Sequence, residues 1–399
     1  MRIFCAVRHS NDPKRFYGAL WSGNFYPALR ELGHELVESR VDLAPTSEFM
    51  TTAKDFTSEQ SNIRANTTQQ ILHEVKKAHA EKPIDLFLSY FYISHFDPAG
   101  FAQIHAWGIP TVNYYCNSIH QFELVAEIAA KVNYSWHAEK HARSSYKAVG
   151  ANPVWVQMAA DPQVYRPFEG ANRLPNAAFV GLRYADRDRW MAALVRANVP
   201  VDIYGPGWGQ DPSSEITSDK TPTDSSTSQA KSYLVEIRRN FSKHGLVDGL
   251  ARTWRQYDHR QQTHRLFPMF RPLAKGPIPF TRICEVFSSH EVILNFSNVW
   301  ADGRPGSKLI PHVRLRDFEA PMCRTCFLTG HTDEITEFYE IGKEIDTYNN
   351  KEELVDKVRF YLSHAQAAEQ LREKGYQRAR RDHTWVRRFE QLFREIGMA

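Results

Sequence analysis

The stretch RLRDFEAP, residues 314–321, sets Arg316 three residues before Glu319 and then runs at once into small and apolar residues. On a helix that spacing puts both side chains on one face. The plain outcome is a surface ion pair. A chemical outcome divides the labour, with the guanidinium on a phosphate and the carboxylate accepting from the paired hydroxyls of a sugar.

Three other stretches are glycine-containing turns, two of them with basic residues, where anions are usually held. They are FVGLRYADR, running from Gly181 through Arg183 to Arg187, YGPGW with Gly205 and Gly207, and DGRPGSK from Gly303 to Lys308. In a doubly wound sheet ligands lie beyond the carboxyl ends of the strands, where loops and helix starts present N–H groups. None of the three is a GxGxxG fingerprint or a GxxxxGK[ST] loop, which speaks against a dinucleotide dehydrogenase and a P-loop ATPase. Taken singly, each glycine also reads as an ordinary tight turn.

Such residues need a scaffold, and the order of elements supplies one. RIFCAVRH is a strand-length apolar run and NFYPALRELGH has helical spacing, with Pro27 expected in the first turn and Gly33 at the C-cap. HELVESRVDL resumes as a strand. Strands at IDLFLSYFYI, IPTVNYY, KVNYSWH and PVWVQMA alternate with helices at QSNIRANTTQQILHEVKKAHAEK, PAGFAQIHAWG and AEKHARSSYKAVG. This alternation predicts an α/β layer with a parallel sheet.

A second series starts after the Pro- and Gly-containing stretch ADPQVYRPFEGANRLP, which reads as a hinge. NAAFVG, VPVDIYG, EVILNFS and TCFLTG are its strands. YADRDRWMAALVRAN, PFTRICEVFSSH, VRLRDFEAPMC, DEITEFYEIG, KEELVDKVRFYLSHA, AEQLREKGYQRARRD and HTWVRRFEQLFREIG are its helices. The expected fold class is therefore α/β, with two Rossmann-like domains. The first is expected over 1–165 and the second over 166–383, carrying an insert at about 210–274, with a closing helix at 384–399.

The insert opens with PSSEITSDKTPTDSSTS, a Ser/Thr-rich tract that cannot supply a core, expected to be a mobile loop. Residues 231–267 follow with helical period and eight Lys or Arg against three Asp or Glu. That window is net +5 in a chain of net +4. It reads as a solvated face or as a contact for an anionic membrane or acceptor.

At 399 residues, 42% apolar and 13% aromatic, the chain exceeds one compact core and is not disordered. The sequence shows no run of the length that spans a bilayer, and the opening MRIFCAVRHS is too short an apolar run for a signal sequence. A cytoplasmic location is expected, peripheral at the inner face of the membrane if the basic insert binds lipid. Cys5, Cys116, Cys284, Cys323 and Cys326 are scattered and read as reduced. Cys323 and Cys326 form a CxxC with no second pair nearby to complete a zinc site, so buried packing is expected.

In order, "FVG…R", "IYGPGW", "KG", "ILNFSN", "RLRDFEAP", "EITEFYEIGKEIDTYNNKEELVDKVRFYL" and "RRDHTWVRRFEQLF" resemble the CgeB-like group of GT-B glycosyltransferases, over residues 176 to 395 apart from the insert. The first half is similar in layout only, through "LRELGHELVE" and "AADPQVYRP". The resemblance implies two sheets facing across a cleft, a C-terminal helix at 384–399 that packs back on the N-terminal domain, and a nucleoside-diphosphate sugar (UDP-, GDP- or dTDP-linked) as co-substrate. The acceptor, whether a glycan, lipid-linked saccharide, protein or small molecule, is left open. It further implies that Glu319 holds the donor ribose and that Arg316 lies near the diphosphate. It makes Arg183 and Arg187 candidates for neutralising the leaving group, with Gly181, Gly205, Asn295 and Lys308 expected to complete the donor side. No bound metal is implied. Related retaining enzymes carry a second carboxylate eight residues before the ribose-binding one, where this chain has Pro311.

An inverting reaction needs a base on the acceptor side. His9 and His95 follow the first and third strands, with Asp12 and Asp97 near them in sequence. Two other readings stand beside transfer. One is a sugar-nucleotide epimerase on the same fold. The other is a non-catalytic protein whose basic insert binds a polyanion, although nucleic acid is not the expected partner.

Overall fold

The computed structural model describes residues 1–10, 12, 16–209 and 225–398. Most of the Ser/Thr-rich tract lies outside the described residues. The chain divides into two compact units, Met1–Asp161 with Asp382–Ala399, and Pro162–Arg381.

In the first unit, strands β1 (Arg2–Ala6), β2 (Glu35–Glu38), β3 (Leu86–Ser89), β4 (Thr111–Tyr115), β5 (Tyr134–His137) and β6 (Pro153–Trp155) form one sheet in the order β2-β1-β3-β4-β5-β6. Every pairing in it is parallel. Helices connect the strands, as parallel pairing requires. One helix, Phe16–Glu31, begins earlier than expected and places Pro27 in its interior rather than in its first turn. Trp21 and Phe25 extend the buried face upstream of the proline. Gly23, one turn before Pro27, leaves open space beside the backbone.

That helix packs against Trp385–Glu395 at the far end of the chain. Phe25 stacks on Trp136 at 5.2 Å and meets the edges of Trp385 and Phe389 at 4.9 and 5.2 Å. The indole N–H of Trp385 donates to Asn24 Oδ1 at 2.9 Å, so the buried ring leaves no polar atom unpaired.

In the second unit, β7 (Leu174–Val180), β8 (Val201–Tyr204), β9 (Ala274–Gly276) and β10 (His290–Asn295) precede a two-stranded antiparallel hairpin, β11 (Asn298–Trp300) with β12 (Leu309–Pro311). β13 (Phe327–Gly330) and β14 (Asp346–Tyr348) complete a parallel sheet ordered β14-β13-β10-β7-β8-β9. The helix expected over DEITEFYEIG is only a 3-10 segment, Asp333–Glu337. Its burial comes from Ile335, Phe338 and Tyr339, too short a run for helical packing. The short strand β14 and the hairpin went unmarked because three residues carry no period. The basic window is helical, within Ser225–Phe270, and bends at Gly245, where φ is 74°.

Among the described residues no helix is long and apolar enough to cross a membrane.

Candidate donor site at the strand ends of the second unit

The loop after β7 folds back tightly. Ala185 adopts a φ of 56°, and Arg187 then opens the helix Arg187–Arg196. Gly205, after β8, has a φ of 130°, and a Cβ there would stand 2.3 Å from the Gly181 carbonyl oxygen. Both strand ends can approach this closely because these positions are glycine. The same carbonyl accepts from the Trp208 indole at 2.9 Å.

The two arginines of this loop part ways. The Arg183 side chain is largely covered, 3.2 Å from Asp188, and donates to the Thr263 carbonyl at 2.6 Å, with Phe270 beneath it at 5.3 Å. Its charge is countered by Asp188 and it ties the long helix to the sheet, an occupation that does not suit a leaving-group clamp. Arg187 is buried but donates only to the Leu182 carbonyl, at 2.8 Å, and pairs with no carboxylate among the described residues. Its Nε has no partner. Burial, followed by the charges of Arg314 and Arg316, pulls its pKa down to about 9. A guanidinium resists giving up its proton, so an incoming anion is the more favourable relief.

Arg316 and Glu319 lie on the helix Arg316–Met322. Arg316 Nη1 stands 2.8 Å from Glu319 Oε2, off hydrogen-bond alignment, with the guanidinium 5.1 Å over the Phe287 ring. Glu319 is only 4% exposed, so this is no surface pair. Its other oxygen accepts from the Tyr165 hydroxyl at 2.5 Å. Burial and the carboxylate raise the Tyr165 pKa, which keeps the phenol a donor.

Asn295, at the end of β10, faces inward. Its amide donates to Asp317 Oδ1 at 2.9 Å and to Thr329 Oγ1 at 3.1 Å. Asp317 also accepts from the Arg314 N–H at 2.7 Å, and burial raises its pKa. Asn295 therefore fixes the start of the Glu319 helix and has no amide hydrogen left for a ligand. Lys308 is exposed on the hairpin turn, which Arg255 and Gln256 hold through Gly306 and Pro305 carbonyls at 2.9 and 3.0 Å. Pro311 lies at the end of β12.

The sequence reading missed Tyr165, Arg314 and Asp317. Arg314 and Asp317 sat in the stretch already singled out. Tyr165 sits 154 residues from its partner, beyond any local pattern.

In the first unit the two histidines touch, with ring centroids 4.3 Å apart. His95 is fully buried. Its Nδ1 accepts from the Tyr92 N–H at 3.2 Å, which leaves the proton on Nε2, facing Ser47 Oγ at 3.0 Å. No ring nitrogen remains to accept a proton, so His95 does not meet the requirements of a general base. His9 is half-buried, and its Nε2 faces the Tyr90 carbonyl at 2.5 Å, which leaves Nδ1 as the lone-pair nitrogen. Burial lowers its pKa to about 4, so it is neutral at pH 7. Asp97 pairs with Arg64 at 3.2 Å and caps Ala99, so it orients neither ring.

Cys323 and Cys326 are both buried, and Cys323 Sγ stands 3.7 Å from Cys284 Sγ. Among the described residues no group of three His, Cys, Asp or Glu is placed to hold a metal ion.

Two six-stranded parallel sheets, each wound with helices, define the class: the fold is GT-B. The chain belongs to the glycosyl transferase-like family, whose model matches residues 187–394, just over half of it. Among solved structures it is similar to sucrose-phosphate synthase from Thermosynechococcus elongatus, at TM-score 0.56 and 11% identity, covering 100% of this chain and 99% of that one. HepE from Anabaena, solved with UDP-glucose, gives TM-score 0.56 and 11% identity over all of both chains. AviGT4, a glycosyltransferase of avilamycin A biosynthesis, gives 0.54 and 13% over 99% and 96%. No curated protein matches.

Proposed function

We infer that the protein transfers a sugar, a hexose in the first instance, from a nucleoside-diphosphate donor to an acceptor hydroxyl. The ordered motif set supports the CgeB-like group within its family. One observation carries the donor assignment. Arg314 and Arg316 lie close enough to Arg187 to help depress its pKa, with Arg187 lacking a carboxylate partner among the described residues and Glu319 held beside Arg316. A diphosphate relieves that repulsion, and the charge grows as the bond from the anomeric carbon to the leaving oxygen breaks. The arginines then take the part that a metal ion plays elsewhere. Glu319 accepts from the ribose hydroxyls. His9 Nδ1 is the group of the first unit best fitted to take the acceptor proton.

The test is calorimetric titration of UDP, GDP and dTDP into the wild type and Arg187→Met, with UDP first because HepE was solved with UDP-glucose. Loss of one charge-assisted contact, about 1.5–3 kcal/mol, predicts roughly 10- to 100-fold weaker binding. Equal affinity in both proteins rejects the assignment. Product analysis with and without acceptor separates transfer from epimerisation.

A further inference from the structure

After the bend at Gly245, five large apolar side chains stand in solvent: Leu246 at 79% exposure, Val247 at 82%, Leu250 at 63%, Trp254 at 67% and Tyr257 at 59%. At about 100° per residue they fall within an arc of about 100°, a single stripe. The opposite face is spoken for. Arg252, Gln256, Leu266 and Phe270 are buried there, with Arg252 paired to Asp302 and Gln256 bonded to the Pro305 carbonyl. The stripe is therefore surplus to the core of its own unit. Contiguous exposed apolar surface of this kind marks an interaction site.

We propose that this face docks on an anionic lipid bilayer, the stripe entering the headgroup boundary. Residues 231–267 carry net +5 while the rest of the chain is net −1. Arg238 is exposed before the bend and Arg265 after the stripe, so positive charge brackets the apolar residues along the helix. Lipid phosphates complement that charge, and Trp254 and Tyr257 are the residue types that sit at the boundary between headgroups and acyl chains. A second copy of this chain would bring the same positive charge against it. Nucleic acid would satisfy the arginines but offers no apolar phase for Leu246, Val247 and Leu250. The contact is independent of the donor site: none of these residues belongs to it.

The test uses the whole protein, sedimented with vesicles of phosphatidylcholine alone and of phosphatidylcholine with an equal part of phosphatidylglycerol. Binding to the anionic vesicles alone, weakened by salt, is expected. The double variant Leu250→Ser, Trp254→Ala, which keeps every charge, should bind about tenfold or more weakly. Its melting temperature should be unchanged, because both residues are exposed. Equal binding to both vesicles, no binding to either, or a double variant that binds like the wild type overturns the proposal. So does light scattering that finds a wild-type dimer and a monomeric double variant, since a second copy would then be the occupant.

Discussion

Tyr165 donates its hydroxyl to Glu319 Oε1 at 2.5 Å while Arg316 stands 2.8 Å from Oε2, so one buried carboxylate is held from both sides. A carboxylate oxygen has two lone pairs, and Tyr165 leaves one of those on Oε1 for a ligand hydroxyl.

Glu319→Ala should weaken nucleotide binding by about 100-fold or more, because two charge-assisted hydrogen bonds of roughly 1.5–3 kcal/mol each are proposed there. Tyr165→Phe acts only through Glu319 and should raise the donor KM about fivefold, near 1 kcal/mol, with kcat little changed. An unaltered dissociation constant in Glu319→Ala for whichever of UDP, GDP or dTDP binds would remove Glu319 from the site.

Gly205→Ala should destabilise the second unit by on the order of 2 to 4 kcal/mol. The new Cβ would stand 2.3 Å from the Gly181 carbonyl at a φ of 130°. Denaturant unfolding measures this, and a midpoint equal to wild type would show that the two strand ends can separate at no cost.

Deleting residues 384–399 should unfold the first unit, because it removes Trp385 and Phe389 from around Phe25 and Trp136. Losing buried aromatic residues costs about 3–5 kcal/mol each. The second unit, which keeps Arg187, Arg316 and Glu319, should still bind nucleotide where it stays folded. A truncated protein with full near-UV dichroism and turnover would contradict this.

Buried histidines set a pH dependence. His137 is fully buried, donates through Nδ1 to the Glu139 carbonyl at 2.9 Å, and has its pKa lowered from 6.5 to about 4 by burial. Below pH 6.5 the unfolded chain binds the proton and the folded one does not. The stability from this group is thus complete above 6.5 and is lost as the pH falls toward 4, about 2 kcal/mol of it by pH 5. Thermal melts should show His137→Phe losing less stability than wild type between pH 7 and 5.

Cys284 should be the first thiol to react. The Cys323 sulfur 3.7 Å away, against some opposing burial, brings its pKa down to about 7, while burial pushes Cys323 up. Iodoacetamide should label Cys284 first, faster as the pH rises through 7, since the thiolate is the nucleophile. Peptide mass spectrometry at short times reads the order, and Cys323 labelled ahead of Cys284 would reverse the assignment.

Local pattern alone determined a good deal. The alternation of strand-length apolar runs with helical ones marked both sheets. The helical period of HTWVRRFEQLFREIG marked the closing helix, and the spacing of Arg316 and Glu319 put them on one face. These follow from periods of two and 3.6 residues, which neighbours in sequence express by themselves. What each polar side chain faces was decided only by the tertiary structure. Arg183 and Arg187 share one loop, yet one meets Asp188 and the other is left to Arg314 and Arg316. His9 and His95 both follow strands, yet only His95 is sealed with both nitrogens engaged. Pro27 was displaced from a helix start to a helix interior once Trp21 and Phe25 found the aromatic core. Burial and partners separated by many residues set charge state and availability, and no short window of sequence contains them.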